Sequence, residues 1–182
     1  MIRAQDNPGV LTVEVDGPAT MLESPAVHDK ASDKLAQGVR ALRFDLRGCT
    51  AMDSTFLGTL LSLERQTERV GGKLVLISPS ARVLELLDQM GLEDFYSIET
   101  AAPLAGPTTE LCARRPSTSA LEGRILDAHD QLATAPGRAA SQFGEVASEL
   151  HRSPKGEPPP ASQGDVASAD RPSRPSPSSG CY

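Results

Sequence analysis

Leu11, Val13 and Val15 alternate with Thr12, Glu14 and Asp16, a period of two that predicts a strand with one buried face. Asp16-Gly17-Pro18 reads as punctuation behind it. Ser24-Pro25 predicts a helix start, with Ser24 as N-cap and Pro25 in the first helical position. Val27, Ala31 and Leu35 form that helix's narrow apolar stripe. Leu42, Phe44 and Leu46 alternate with Arg43 and Asp45, a second strand. Past a loop at Gly48-Cys49-Thr50, Phe56, Leu60, Leu63 and Val70 recur at helical spacing, and Leu57 and Leu61 widen the stripe. This predicts a helix to about Val70, stopped by Gly71-Gly72. Leu74-Val75-Leu76-Ile77 is a continuous apolar run, as a central strand requires. Pro79-Ser80 opens a further helix with Val83, Leu84, Leu87 and Met90 inward and Gly91 as its stop. Phe95-Tyr96-Ser97-Ile98 reads as a last short strand.

The predicted order is β-α-β-α-β-α-β, an α/β sheet of four to five strands with parallel neighbours. Alternation in the first two strands predicts that helices cover mainly one face. This folded unit spans 1–100. Residues 101–118 hold Pro103, Gly106, Pro107 and Pro116 and read as a linker. At 119–151 a helical hairpin is expected. Ser119 and Glu122 have the spacing of a capping box, and Leu121, Ile125, Ala128 and Leu132 form one stripe. Ala139, Phe143, Val146 and Leu150 form the second, after a break at Pro136-Gly137. Two helices this short need a surface to pack on. Residues 152–182 contain no Leu, Ile or Phe and seven of the fifteen prolines, so a disordered tail is expected there.

Composition narrows the function. The 182 residues carry a net charge of −6, and no excess of Lys and Arg is present to neutralise a nucleic acid. A run of roughly 18 apolar residues, the length of a membrane span, does not occur, and the first residues lack the apolar core of a secretory signal. Cys49, Cys112 and Cys181 are odd in number and widely spaced. They read as reduced thiols of a cytoplasmic protein, without a disulfide framework, a metal site or a cofactor. Four Lys against fourteen Arg suggests a GC-rich bacterial source. His28, His129 and His151 read as surface residues, and Arg114-Arg115 as a solvated pair. Glu64, Arg65, Glu68 and Arg69 read as the wet side of their helix.

The candidate chemistry lies in Met52-Asp53-Ser54-Thr55-Phe56-Leu57-Gly58, where a hydroxyl stands beside a carboxylate at a helix start. Either Asp53 or Ser54 suits an N-cap. A nucleophilic elbow would need Gly two residues either side of the serine, where Met52 and Phe56 stand, so catalysis is not expected. A phosphoaspartate receiver with Asp53 as acceptor would need an acidic pair after the first strand and a late Lys. The first strand ends Val15-Asp16-Gly17, and no Lys stands between Lys73 and Lys155.

Residues 42–91 resemble the STAS domain, the fold of anti-sigma factor antagonists, whose hallmark is Asp-Ser-Ser/Thr-Gly-Leu-Gly at the start of its second major helix. Here the segment is Asp53-Ser54-Thr55-Phe56-Leu57-Gly58, followed in family order by Gly71-Gly72, the 74–77 strand, Ser78-Pro79-Ser80, the next helix and Gly91-Leu92. The likeness covers roughly residues 10–99. It implies a non-catalytic signalling protein that binds an anti-sigma factor or serine kinase when unphosphorylated and is released by phosphorylation. By position Ser54 is the phosphoacceptor, and Asp53, Ser54, Thr55, Phe56 and Gly58 are the partner-binding residues. Phe56 departs from the family's Gly and falls on the helix's apolar stripe. The alternative reading is a STAS scaffold or adaptor without a phosphate cycle. A phosphoryl group at Ser54 would add about −1.5 to −2 charge beside Asp53. That suits a release switch which leaves the fold intact.

Overall fold

Alternation along the chain builds one sheet and dictates which of its faces is dry. In the computed structural model, which describes residues 1–103, 105–111 and 117–152, the strands are β1 (Ile2–Asn7), β2 (Val10–Ala19), β3 (Ala41–Met52), β4 (Lys73–Ile77), β5 (Ser97–Glu99) and β6 (Thr109–Glu110). They lie in the order β5-β4-β3-β2-β1-β6. β2, β3, β4 and β5 are mutually parallel, whereas β1 runs antiparallel to both of its neighbours. The sheet is therefore mixed, with six strands. β1 went unrecognised in the sequence, and β6 lies inside the segment read as a linker. Both central strands also outrun their alternating cores. β2 continues through Asp16-Gly17-Pro18 and β3 through Gly48-Cys49-Thr50, with register shifts between Glu14 and Asp16 and between Gly17 and Pro18. Such irregularities let Pro sit inside a paired strand.

One face of this sheet carries Ile2, Ala4, Leu11, Val13, Leu42, Phe44, Leu74 and Leu76, all buried. Helices α1 (Ser24–Ala36), α2 (Ser54–Arg69) and α3 (Ala81–Met90) pack on it. The other face is more polar and partly covered: Thr12, Asp45, Val75 and Ile77 on it are buried, and Gln5, Thr12, Arg43 and Asp45 help to line a groove there. On α1, Val27, Ala31 and Leu35 are buried as expected, but the cap lies one residue earlier than the sequence suggested. Glu23 holds that position without a side-chain bond to the helix, and the Ser24 hydroxyl instead donates to the Thr20 carbonyl at 3.0 Å. On α3, Ser80 caps Val83 and Gly91 closes the helix in the left-handed conformation. Val83 and Leu87 point inward, while Leu84 stands in water. β5, expected from Phe95, begins at Ser97, because Tyr96 turns into the core against Phe95.

The C-terminal helices α4 (Thr118–Ala133) and α5 (Arg138–Arg152) form a second layer. α4 packs on α2 and α1, and α5 on α4 and α3. Ser117, two residues before the expected cap, accepts the Ala120 amide. Ala128, Leu132, Ala135, Ala139 and Ala147 are the buried apolar positions of this layer, and Val146 is exposed. Arg152 is helical; 153–182, the rest of the expected tail, lie outside the described residues. The layer approaches the domain at two glycines. A Cβ at Gly58 would stand 2.7 Å from the Ala128 Cα and closer still to its carbonyl oxygen, and one at Gly137 would collide with the Gly91 carbonyl. Arg65 fastens the same side, donating to Gln131 and, at 2.9 Å, to the Thr134 hydroxyl and carbonyl.

Two glycines should therefore respond oppositely to alanine. Gly58→Ala must force α4 off α2, with an expected loss of about 2 kcal/mol after the usual gain of helix propensity. Gly123→Ala, where a Cβ meets nothing within 4 Å, should stabilise by up to ~1 kcal/mol. Urea denaturation of both variants beside wild type checks the pair. A neutral Gly58→Ala would show that the α2–α4 contact is looser than described.

Candidate functional site

Strand β3 ends at Met52, paired with Ala19, the last residue of β2. Asp53 leaves the sheet in extended conformation and caps α2. Its Oδ1 accepts the Phe56 amide at 2.8 Å, and its Oδ2 accepts the Met21 amide, also at 2.8 Å, from the loop before α1. Its own amide donates to the Ala19 carbonyl at 3.0 Å. The cap is thus Asp53, and both of its carboxylate oxygens are committed. Ser54 opens the helix itself. It is half-buried, and its hydroxyl has no hydrogen-bond partner among the described residues. An uncommitted hydroxyl at a helix N-terminus, where the dipole favours negative charge, is placed to receive an anionic group.

The other three predicted contact residues lie beneath this corner. Thr55 is buried, with its carbonyl accepting the Thr59 hydroxyl at 2.9 Å. Phe56 is wholly buried, so it points into the core and does not obstruct the approach to Ser54. Gly58 is covered by α4. Asp53 and Ser54 remain at the surface edge. Near them Ala51 and Met52 share a shallow groove with Arg82 and Leu86 of α3, a feature the sequence did not announce.

The histidines are committed elsewhere. His28 meets the Gln66 amide nitrogen at 3.0 Å, and its burial together with the Arg124 charge lowers its pKa. His129 is buried against Phe143 rather than exposed. His151 meets Asp130 at 2.9 Å on the surface. Cys49 is buried, and its burial pushes the thiol pKa up. Cys112, Arg114, Arg115 and Cys181 lie outside the described residues. Among the described residues no three His, Cys, Asp or Glu are grouped to hold a metal ion.

Glu64 also departs from the reading of α2's polar side. It is buried and its Oε2 lacks a partner among the described residues. Burial, with the nearby charge of Glu68, pushes its pKa up to about 7 against the pull of the Leu74 amide and Lys73. The Tyr96 hydroxyl is likewise buried and unpartnered. Its pKa is raised by burial and by the Glu64 charge, with Arg65 opposing.

The sequence model of the STAS domain matches residues 1–104. The anti-sigma-B factor antagonist of Bacillus subtilis (strain 168) is 29% identical over 97 residues, which span 53% of this chain and 88% of that relative. Among solved structures, the anti-sigma factor antagonist SpoIIAA in its unphosphorylated form aligns with a TM-score of 0.52 at 20% identity, covering 56% of this chain and 89% of SpoIIAA. At that identity the likeness to SpoIIAA shows the fold alone.

Glu64 sets a pH dependence whose sign is fixed. Its pKa is higher folded than unfolded, so the native state binds the extra proton and stability falls as pH rises from about 4.5 to about 7. At ~1.4 kcal/mol per pH unit, the loss approaches about 3 kcal/mol. Glu64→Gln should be more stable than wild type at pH 8, with the difference shrinking towards pH 5. Urea denaturation at both values checks it; a difference independent of pH would contradict the assignment.

Proposed function

This chain belongs to the STAS domain family, and we propose that it is a non-catalytic signalling switch of the anti-sigma factor antagonist type, working in the bacterial cytoplasm. The unphosphorylated form binds an anti-sigma factor or serine kinase at the Asp53-Ser54 corner. Phosphorylation of Ser54 releases it. The observation that carries this reading is the Ser54 hydroxyl itself, half-buried at the first position of α2 with no hydrogen-bond partner among the described residues. Asp53 beside it has both oxygens in use. Kinship with an anti-sigma-B factor antagonist supports the partner class.

Within that reading the chemistry belongs to the kinase. The Ser54 Oγ attacks the γ-phosphorus of ATP. The new O–P bond forms as the bond to the β-phosphate oxygen breaks, ADP leaves, and the hydroxyl proton passes to a base of the kinase. The product carries about −1.5 to −2 charge where the partner had met a neutral hydroxyl. Burying that charge beside Asp53 opposes binding, while the dipole of α2 tolerates it in the free protein. Thr55, Phe56 and Gly58 contribute shape from below. Phe56 in place of the family's Gly leaves the corner open because its ring is buried.

The protein is to be incubated with ATP and the serine kinase encoded nearest its gene, and the phosphate mapped by mass spectrometry. One phosphate on Ser54 is expected, and none on Ser54→Ala. Ser54→Ala should bind that kinase as wild type does, whereas Ser54→Asp should bind at least about tenfold more weakly, ~1.4 kcal/mol. Equal phosphate on wild type and Ser54→Ala would overturn the assignment. Equal binding by Ala and Asp would favour a scaffold without a phosphate cycle.

A further inference from the structure

After β5 the chain crosses the sheet face opposite the helices and returns as β6 on the far edge, beside β1. Arg47 on β3 donates to the Ala101 carbonyl at 2.7 Å, and Gln5 on β1 donates to the Ala105 carbonyl at 2.9 Å. Between the start of this crossing segment and the strands lies a groove of about 280 Å³. That is just below the roughly 300 Å³ at which pockets for drug-sized ligands begin, so the groove suits something smaller. Thr12 of β2 and Arg43 and Asp45 of β3 line it, with Val10, Ile77 and Ala101 as apolar wall. Thr12 is 5% exposed and the Asp45 side chain 5%. Polar atoms this deep are normally bonded, yet the Thr12 hydroxyl has no hydrogen-bond partner among the described residues. Asp45 commits Oδ1 to Arg47, accepting its amide and its Nε–H, both at 3.2 Å. Its Oδ2 accepts nothing among the described residues. The Arg43 guanidinium meets Glu99 at 3.8 Å, beyond hydrogen-bonding range, and Lys73 shares that carboxylate at 3.7 Å.

We propose that this groove is a binding site for a small aliphatic α-amino acid. Asp45 Oδ2 accepts from the ligand's ammonium. Arg43 and the Thr12 hydroxyl, which stand opposite each other in the β2–β3 register, donate to its carboxylate. Val10, Ile77 and Ala101 enclose its side chain. Charge decides the class. The groove offers one cation and one uncommitted anionic oxygen, so a simple anion is opposed by Asp45 and a simple cation by Arg43. A zwitterion satisfies both with charge-assisted bonds. Spacing decides which zwitterion. Arg43 and Asp45 are two positions apart on one strand, roughly 6.6 Å, and share a face. A ligand that reaches both must carry its own charges close together. An α-amino acid does so, with a single carbon between them; a long ω-amino acid does not. The site lies on the face away from α2 and owes nothing to Ser54, so it stands or falls separately from the switch.

The full unphosphorylated chain is to be titrated with L-valine and followed through its backbone amides by NMR. Saturable shifts at Thr12, Arg43 and Asp45 are expected, with a Kd of about 1 mM. Isovalerate lacks the ammonium and L-valinamide lacks the carboxylate. Each should bind at least about tenfold more weakly than valine. Asp45→Asn also disturbs Arg47, so the decisive variant is Arg43→Gln, whose partly exposed side chain can change without loss of the core. Its spectrum should show the native fold, its valine affinity should fall at least about tenfold, and valine and valinamide should then bind alike. A merely structural role for Arg43 would not erase the difference between those two ligands. Three results would each overturn the assignment: no saturation by about 10 mM valine, equal binding of the three compounds to wild type, or an undiminished preference for valine over valinamide in Arg43→Gln.

Discussion

The Asp53 carboxylate joins the start of α2 to the loop before α1, the two elements that meet at the proposed site. One oxygen holds the first turn of α2 through Phe56, the other holds the loop before α1 through Met21, and the Asp53 amide returns to the end of β2 at Ala19. β2 and β3 must end level for this to happen, and they do, with Ala19 opposite Met52. With α2 started at this angle, Phe56, Leu60 and Leu63 enter the core. Its opposite flank is presented to α4, and Ser54 is left at the rim with its hydroxyl unspent. The geometry of the proposed site and the packing of α2 thus follow from a single cap.

α2 is enclosed on two sides, by the sheet and by α4, which explains a composition that looks too polar for a central helix. Thr55, Thr59, Ser62 and Thr67 are buried with it. Thr59 and Thr67 return their hydroxyls to the carbonyls of Thr55 and Leu63, the local bonding that lets a hydroxyl enter a helix interface. Close approach is bought with glycine at Gly58 against Ala128 and at Gly91 against Gly137. Arg138 adds a bond to the Asp88 carbonyl beside the second contact. The C-terminal helices cover the flank of α2, and the sheet's carboxyl end, where Asp53 and Ser54 lie, carries the loop before α1.

Much of this was legible in the chain. The stripe through Phe56, Leu60 and Leu63, the run 74–77, Gly91 as a stop and the Asp53-Ser54 junction all rest on local signals strong enough to survive packing. The failures are tertiary. β1 offers only Ile2 and Ala4 as apolar positions, too faint for a period of two, and gains its stability from pairing on both edges. Gly17-Pro18 reads as a break because a register shift that tolerates proline is invisible locally. Glu64 and His129 looked solvated because nothing in one helix reveals the neighbour that will cover it. The Met21–Asp53 bond spans 32 positions between a loop and a cap, and no periodicity encodes such a pair. The Asp53-Ser54 motif was therefore readable in the chain, while the tie from Asp53 to the loop was not.

The proposed switch depends on electrostatic contact between a phosphate on Ser54 and the Asp53 carboxylate. The most direct measurement is the second pKa of that phosphate, followed by phosphorus NMR across a pH titration of the phosphorylated protein and of the same protein with Asp53→Asn. Phosphoserine titrates at about 6, and a carboxylate beside it resists the second negative charge. The account predicts a lower phosphate pKa once Asp53 is neutral. Identical titrations of the two proteins would contradict it.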